Sequence, residues 1–443
     1  MGSGCLKSGA LDASDLFYRP HICGIGGIGT SGVALLLADL GLCVTGSDLR
    51  PSELTQLLVD CGIAVTFDEE TDRLRDATCL ICPASFPSHH PFLQFAHQHH
   101  IPVLDRSHAL ALICRRYVSH AILCLGTLSR SAGARQIAQA IRGAGWCAGA
   151  AWRDGSLHAV FGDPLVVDLD ERDFFWDPTL FEEFDNADVV ITDWQQPDFG
   201  YYPKGFELMG LVHQFVDKHQ PCLVYPAAVS DNACEIQTIQ HTRKTGADWG
   251  CAQRLHRFER NASNRLVVPE RCGNGELEIG DAPGCVSMAA SVRAYLHLLA
   301  CQETPKSPAC IGWFENIDAL GRWVYDIRMH PVNLAASLQA LNLRWKNNRL
   351  VLVIRPFVST LFRYERSVWC QALAVADRIW VITPPYPGCT DADCVQFAQN
   401  LRDAGKDARC VPEASIAQSV EKNDAVLFCG APDMFDMGRQ ILG

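Results

Sequence analysis

Hydrophobic residues along the chain fall into short runs separated by longer segments with helical periodicity. In the first hundred residues the runs predict strands at His21 to Gly24, Leu42 to Ser47, Cys79 to Pro83 and Pro102 to Leu104. Short buried strands that alternate with helices are typical of a parallel sheet covered by helices. The pattern therefore predicts an α/β fold from the first strand onward.

The same alternation returns twice further along the chain. A second unit begins at "SHAILCLGTLSRSAG", has predicted strands at Leu165 to Asp168 and Val189 to Thr192, and becomes hairpin-like in its later part. A third contains the runs "NRLVLVIRP", "ADRIWVITPP" and "DAVLFCGAPDM". Because 443 residues are too many for one core, we predict three domains, at residues 1–116, 117–318 and 319–443.

Composition and charge limit the classes of partner. The chain is 48% hydrophobic and 20% charged, as in a globular protein, and its net charge of −12 disfavours nucleic acid. No apolar run reaches the roughly 18 residues that a membrane span needs. The first twenty residues lack the basic-then-apolar pattern of a secretory signal, so we expect a cytoplasmic protein.

Cysteines and histidines offer two weaker signals. The 21 cysteines are dispersed, and Cys79 and Cys82 form a CxxC inside a predicted strand, which would point them to opposite faces. Buried thiols are the favoured reading of that pair, with a metal or redox pair as the alternative. His97, His99 and His100 are interpreted as a solvated helix end, with a metal site as the alternative.

A glycine-rich turn follows the first predicted strand. "GIGGIG" runs from Gly24 to Gly29 and opens a helix, and "GSD" ends the next strand about 20 residues later. Glycines permit a tight turn, and a helix N-terminus offers free N–H groups to a phosphate. A dinucleotide site of an NAD-dependent oxidoreductase is one interpretation, and a turn without a ligand is another.

A longer stretch around this turn resembles the opening of a Mur ligase. The stretch is "HICGIGGIGTSGVALLLADLGLCVTGSDLRPSELTQLL", and the similarity continues through "ICPASFPSHHP" and "IPVLDRSHALALI". The resemblance implies three α/β domains: a Rossmann-like UDP-binding domain, a central P-loop-type ATPase domain and a C-terminal Rossmann-like domain. It implies a site for a UDP-sugar of the UDP-N-acetylmuramate class, formed by Gly24, Gly26, Gly27, Gly29, Ser31, Ser47, Asp48 and Arg106.

The second unit opens on a loop similar to the family's phosphate-binding loop, G-T-H-G-K-T-T. The resemblance implies an ATP site formed by Gly126, Thr127, Ser129, Arg130 and Ser131. The second glycine is replaced by Ser129, whose Cβ we expect to resist the conformation that wraps a phosphate. Arg130 stands where the family has a lysine, and its guanidinium is a broad planar group rather than a compact charge. Ser131 keeps a hydroxyl for Mg²⁺.

The remaining family motifs are partly retained. "VVDLDERD" resembles E-A-D-E-S-D, which makes Glu171 the implied Mg²⁺ carboxylate, and Asp193 stands where the family has an asparagine. "YDIRMHP" keeps Asp326 and His330 of the C-terminal motif. Other positions have lost groups that would face a triphosphate, namely Phe199, Met329, Phe357, Val358 and Leu361.

An active family member would use ATP and Mg²⁺ to join a UDP-sugar acid to an amino acid through an acyl phosphate. Because the cations around the phosphates are depleted, we predict a degenerate homologue that keeps the fold and UDP-sugar binding, has weak or no ligase activity, and has a cell-wall enzyme as its partner. The alternative is an active ligase that adds L-alanine or another amino acid to a UDP-muramyl substrate.

Overall fold

The structure is a computed structural model, and it divides into three separate β-sheets along the chain. It describes residues 16–83, 86, 89–149, 157–170, 178–184, 186–193, 208–229, 233–243, 249–261, 265–272, 274–278, 285–299, 314–326, 331–356, 366–383, 390–430 and 433–442. The predicted α/β class with three domains is confirmed, whereas the exact domain boundaries remain a prediction.

The first sheet is entirely parallel, with strand order β3-β2-β1-β4-β5. Its strands are β1 (Pro20–Cys23), β2 (Thr45–Ser47), β3 (Ala64–Thr66), β4 (Cys79–Cys82) and β5 (Val103–Asp105), and its helices are α1 (Ile28–Asp39), α2 (Glu53–Asp60), α3 (Pro91–Gln98) and α4 (Arg106–Tyr117). The strand order reverses direction at β1. Ligands of open parallel sheets bind at such a switch point, beyond the carboxyl ends of the strands.

The second strand is shorter than the sequence predicts. Hydrophobicity predicts a strand from Leu42, but β2 begins at Thr45. Gly41, with φ +81°, ends helix α1, and the Leu42 N–H donates to the Leu37 carbonyl over 3.1 Å. The first apolar residues of the run therefore belong to the turn that terminates the helix.

The CxxC of β4 points its side chains to opposite faces of the sheet, as predicted. Cys79 packs in the cluster that contains Ile81, whereas Cys82 packs with Leu80 and Cys23 on the other face. Contact with the Cys82 thiol and burial both raise the pKa of Cys23. These buried thiols are therefore small apolar parts of the core.

The second sheet joins a parallel core to a long antiparallel extension, in the order β15-β14-β13-β12-β11-β10-β6-β9-β7-β8. Its elements are β6 (Ala121–Leu125), α5 (Arg130–Ala140), β7 (Gly145–Cys147), β8 (Ala159–Val160), β9 (Leu165–Asp168), β10 (Ala187–Ile191), α6 (Leu208–His219), β11 (Leu223–Val229), β12 (Ala233–Arg243), β13 (Trp249–Arg260), β14 (Arg265–Val268), β15 (Gly275–Glu278) and α7 (Cys285–Leu298). Strand β6 lies between β9 and β10 and is parallel to both. The carboxyl ends of all three strands therefore meet at one edge.

The third sheet has the order β16-β17-β21-β18-β19-β20, and its pairings are parallel except for that of β16. Its elements are β16 (Phe314–Asn316), β17 (Trp323–Asp326), α8 (Pro331–Arg344), β18 (Leu350–Arg355), α9 (Arg366–Ala372), β19 (Arg378–Ile382), α10 (Asp391–Arg402), β20 (Ala408–Val411), α11 (Ile416–Ser419), β21 (Ala425–Gly430) and α12 (Asp433–Leu442). Among the helices that the structure describes, none is long and apolar enough to cross a membrane.

Close packing of β2 against the turn after β1 generates a stability prediction. A Cβ at Gly46 would lie 2.3 Å from Ile25 Cδ1 and 2.8 Å from the Ile22 carbonyl oxygen. Gly46→Ala should therefore push β2 away from that turn and lower the free energy of unfolding by about 1–3 kcal/mol, measured by urea denaturation.

Gly41→Ala is the matched control for this substitution. A Cβ there meets nothing within 4 Å, so the cost is confined to backbone strain at φ +81°, about 1 kcal/mol. A Gly46→Ala protein as stable as the wild type would contradict the packing.

Candidate functional site

Two loops at the carboxyl ends of parallel strands form the candidate site. The glycine loop comprises residues 24–29, from the end of β1 into the first turn of α1, and the second-sheet loop comprises residues 126–131, from the end of β6 into the first turn of α5. Each joins a buried strand to a helix N-terminus, the arrangement that suits anion binding. The two loops differ in what already occupies their backbone amides.

The glycine loop makes a tight turn that leaves a helix N-terminus open. Gly24 adopts φ +59°, and its carbonyl accepts from the Gly27 N–H over 2.9 Å and from Thr30 Oγ1 over 2.5 Å. Gly27 is the N-cap of α1 and makes no side-chain cap. The first-turn amides of α1 therefore keep no intrahelical acceptor and can bind an anion.

The predicted residues of β2 lie directly beside the glycine loop. Asp48 Oδ2 accepts from the Gly26 N–H over 2.8 Å, and Oδ1 accepts from the Leu49 N–H over 2.8 Å. Ser47 Oγ lies 3.2 Å from Nε2 of the buried His21. The structure thus brings Ser47 and Asp48 to the loop, and their roles toward a UDP-sugar remain predictions.

Two other predicted sugar-nucleotide residues reach toward the second sheet. Arg106 donates from Nε to the Gly29 carbonyl over 3.2 Å and from Nη2 to Asp168 Oδ1 over 2.9 Å. Ser31 Oγ lies 2.8 Å from His158 Nε2. Both side chains therefore connect the glycine loop to the end of β9 and to the segment around β8.

A buried carboxylate occupies the second-sheet loop. Asp193 Oδ1 accepts from the N–H groups of Thr127 and Leu128 over 3.0 and 2.9 Å. Asp193 Oδ2 accepts from Ser129 N–H over 2.9 Å and from Ser129 Oγ over 2.6 Å. The Asp193 side chain is only 4% exposed. Successive amides of the loop thus converge on an anion supplied by the protein itself.

The expectation that Ser129 would prevent such wrapping is wrong. Ser129 adopts φ −134°, which any residue can adopt, and its N–H joins the neighbouring amides on Asp193. The position that requires glycine is Gly126, with φ +146°, where a Cβ would lie 2.4 Å from Thr192 Oγ1.

The two side chains predicted to serve ATP and Mg²⁺ are bonded within the protein. Arg130 donates from Nη1 to the Gly126 carbonyl over 2.9 Å and from Nη2 to Asp170 Oδ2 over 3.1 Å. Ser131 Oγ donates to Asp168 Oδ2, which also accepts from the Gly149 N–H over 2.7 Å. Asp168 is 1% exposed, so its charge depends on these donors and on Arg106.

ATP phosphates and Mg²⁺ do not fit the second-sheet loop in this conformation. The amides that would bind a phosphate are bonded to Asp193, and the Ser131 hydroxyl is bonded to Asp168. Within the described part of the chain, no group of three or more His, Cys, Asp or Glu could hold a metal ion.

The structure describes one of the three remaining predicted site residues, Asp326. Asp326, at the end of β17, is fully buried and accepts from Ser337 Oγ over 2.5 Å. The predicted Glu171 and His330 lie outside the described residues. The altered positions Phe199, Met329, Phe357, Val358 and Leu361 also lie outside them.

Comparisons with known proteins agree with the family resemblance. Residues 19–118 match the model described as Mur ligase family, catalytic domain. Two UDP-N-acetylmuramate–L-alanine ligases match over nearly the whole chain. The ligase of Desulfosudis oleivorans is 24% identical over 96% of this chain and 98% of its own length, and that of Streptomyces griseus is 26% identical over 96% of both.

Solved structures show the same fold. The UDP-N-acetylmuramate-alanine ligase of Thermotoga maritima has a TM-score of 0.60 at 18% identity and covers 96% of this chain and 98% of its own. A murein peptide ligase of Psychrobacter arcticus also has a TM-score of 0.60, at 14% identity with the same coverage. The fold is therefore that of the Mur ligases, and residues 19–118 carry a Mur ligase family domain. Over nearly its whole length, the chain is similar to UDP-N-acetylmuramate–L-alanine ligases.

The contact between Arg106 and Asp168 generates a second stability prediction. Both side chains are at most 14% exposed, and removal of one partner leaves a buried charge unpaired. Arg106→Met should therefore lower the free energy of unfolding by about 3–5 kcal/mol in urea denaturation. Arg142→Met, at an exposed position just after helix α5, should change it by less than about 0.5 kcal/mol. Equal losses in the two variants would contradict this prediction.

Burial of the His158 imidazole should make the stability of the protein depend on pH. Burial lowers the pKa of this group to about 4, against about 6.5 in an unfolded chain. Between these two pKa values the unfolded chain binds more protons than the folded protein. The contribution of His158 to the free energy of unfolding is therefore fully present above pH 6.5 and is lost as the pH drops toward 4. The loss should be on the order of 2–3 kcal/mol at pH 4.

Urea denaturation between pH 4 and pH 7 measures this loss. His158→Gln should flatten the dependence, but His21, whose pKa burial also lowers to about 4, preserves part of it. His97→Gln, at an exposed histidine, is the control and should leave the dependence unchanged. Identical pH profiles for His158→Gln and the wild type would rule out this role.

Proposed function

We propose that the protein is a degenerate Mur ligase homologue that binds a UDP-sugar of the UDP-N-acetylmuramate class at its glycine loop and has weak or no ATP-dependent ligase activity. Its function would be regulatory, in the synthesis of cell-wall precursors, with a cell-wall enzyme as the partner. The relatives named above, both UDP-N-acetylmuramate–L-alanine ligases, support this substrate class.

The proposal rests on how many amides of each loop are bonded to a carboxylate of the protein. In the glycine loop Asp48 accepts from the Gly26 N–H, whereas in the second-sheet loop Asp193 accepts from three successive N–H groups. In the second-sheet loop Arg130 is paired with Asp170, and Ser131 donates to Asp168. The groups that would bind ATP and Mg²⁺ in an active relative therefore stabilise this protein instead.

Calorimetric titration with UDP-N-acetylmuramate tests the first half of the proposal, that the protein binds a UDP-sugar. We expect saturable binding to the wild type that weakens about tenfold in Gly27→Ala, because the added Cβ would lie 3.0 Å from Thr30 Oγ1 and 3.1 Å from the Gly24 carbonyl. Gln56→Ala, at an exposed position of α2, is the control and should bind like the wild type. No binding at millimolar ligand would remove this half.

An assay of phosphate release tests the second half of the proposal, that ATP-dependent ligase activity is weak or absent. The protein is incubated with ATP, Mg²⁺, UDP-N-acetylmuramate and each of a panel of amino acids. We expect no release above background, since each lost transition-state donor typically costs about 2.7–4 kcal/mol. Turnover with L-alanine or another amino acid would instead establish an active ligase, the alternative that its full-length similarity to ligases favours.

A further inference from the structure

The second-sheet loop has the architecture of a phosphate site but already contains an anion. A buried strand, a glycine turn with φ +146° at Gly126 and a helix N-terminus follow one another, and successive amides converge on Asp193. We propose that the Asp193 carboxylate is an internal substitute for a nucleotide phosphate, and that it excludes ATP from this loop. The inference rests on the proposed function and names the residue that controls its nucleotide site.

The sheet holds Asp193 in place. Strand β10 pairs with β6 in the register Ile191 to Leu125, and the Thr192 N–H continues the pairing by donating to the Leu125 carbonyl over 2.9 Å. Asp193 is the next residue, so its carboxylate reaches the loop from a position fixed by the sheet. An intramolecular ligand of this kind has a high effective concentration, against which a free ligand must compete.

The carboxylate satisfies the same donors that a phosphate needs. Its two oxygens accept from three backbone N–H groups and from the hydroxyls of Ser129 and Thr192, at distances between 2.6 and 3.1 Å. Charge-assisted bonds of this length are among the stronger hydrogen bonds in proteins. A phosphate that entered the loop would have to displace these bonds and would meet a negative charge at short range.

The cation of the loop does not offset that charge. Arg130 is paired with Asp170 over 3.1 Å and also donates to the Gly126 carbonyl. Its guanidinium is therefore directed to groups of the protein at the edge of the loop. Replacing the single charge of Asp193 should then decide whether the loop admits a nucleotide.

Calorimetric titration with ATP and Mg²⁺ tests the proposal on three proteins. The wild type should show no binding at millimolar ATP, whereas Asp193→Asn should bind at least about tenfold more tightly. Asp188→Asn makes the same change at a buried position of β10 away from the loop, where Asp188 accepts from the Cys222 N–H and Tyr295 Oη. It should behave like the wild type.

Equal ATP affinity in the wild type and Asp193→Asn would overturn the proposal. Because Asp193→Asn could fail to fold, hydrogen exchange on the wild type provides a second measurement. The amides of Thr127, Leu128 and Ser129 should be protected without any nucleotide, and ATP with Mg²⁺ should not change that protection. Rapid exchange that ATP slows would also overturn it.

These outcomes separate the inference from the proposed function. A wild type that binds ATP without releasing phosphate would contradict the role of Asp193 and leave the degenerate ligase standing. Asp193→Asn that gains ATP binding would support the inference even if the wild type failed to bind UDP-N-acetylmuramate. Phosphate release by the wild type would contradict both.

Discussion

Backbone amides at the start of a helix need an acceptor, and this requirement shapes the whole candidate site. In the second sheet, Asp193 meets it from a neighbouring strand end and closes the loop after β6 around a carboxylate. In the first sheet, the Asp48 carboxylate after β2 accepts from the Gly26 N–H of the glycine loop over 2.8 Å. The two loops thus share one arrangement, in which a carboxylate from a neighbouring strand end accepts from three loop amides in the second sheet and from one in the first.

A second buried carboxylate links these two places. Asp168 accepts from Arg106, which also bonds the glycine loop, and from Ser131 at the start of α5. Because an unpaired charge at this depth would be costly, each of these donors stabilises the arrangement. A substitution at Arg106 would therefore affect both loops through the same buried network.

Hydrophobic periodicity predicts the fold well, because buried strands such as "CLIC" and "LVLVIR" carry their own signal. The pattern predicts strand Leu165 to Asp168 with its observed bounds. It places the start of β2 too early, because Leu42 is apolar but belongs to the turn that ends α1. A hydrophobic pattern indicates which residues are buried, but buried apolar residues occur both in strands and in packed turns.

The site was less predictable from the sequence. The glycine loop and its neighbours Ser47 and Asp48 were brought together as expected. The replacement at Asp193 was visible in the motif, but its bonds to Thr127 and Ser129 depend on strand register, which the motif does not encode. His158 had no sequence signal, because its contact with Ser31 spans 127 positions of the chain.

A crystal structure of the wild-type protein grown with a non-hydrolysable ATP analogue and Mg²⁺ would show directly whether Asp193 excludes the nucleotide. We expect Asp193 still to accept from the amides of the second-sheet loop, with no phosphate in its place. A γ-phosphate bound by the amides of Leu128 and Ser129, with the Asp193 side chain displaced and Arg130 turned toward the phosphate, would contradict that exclusion.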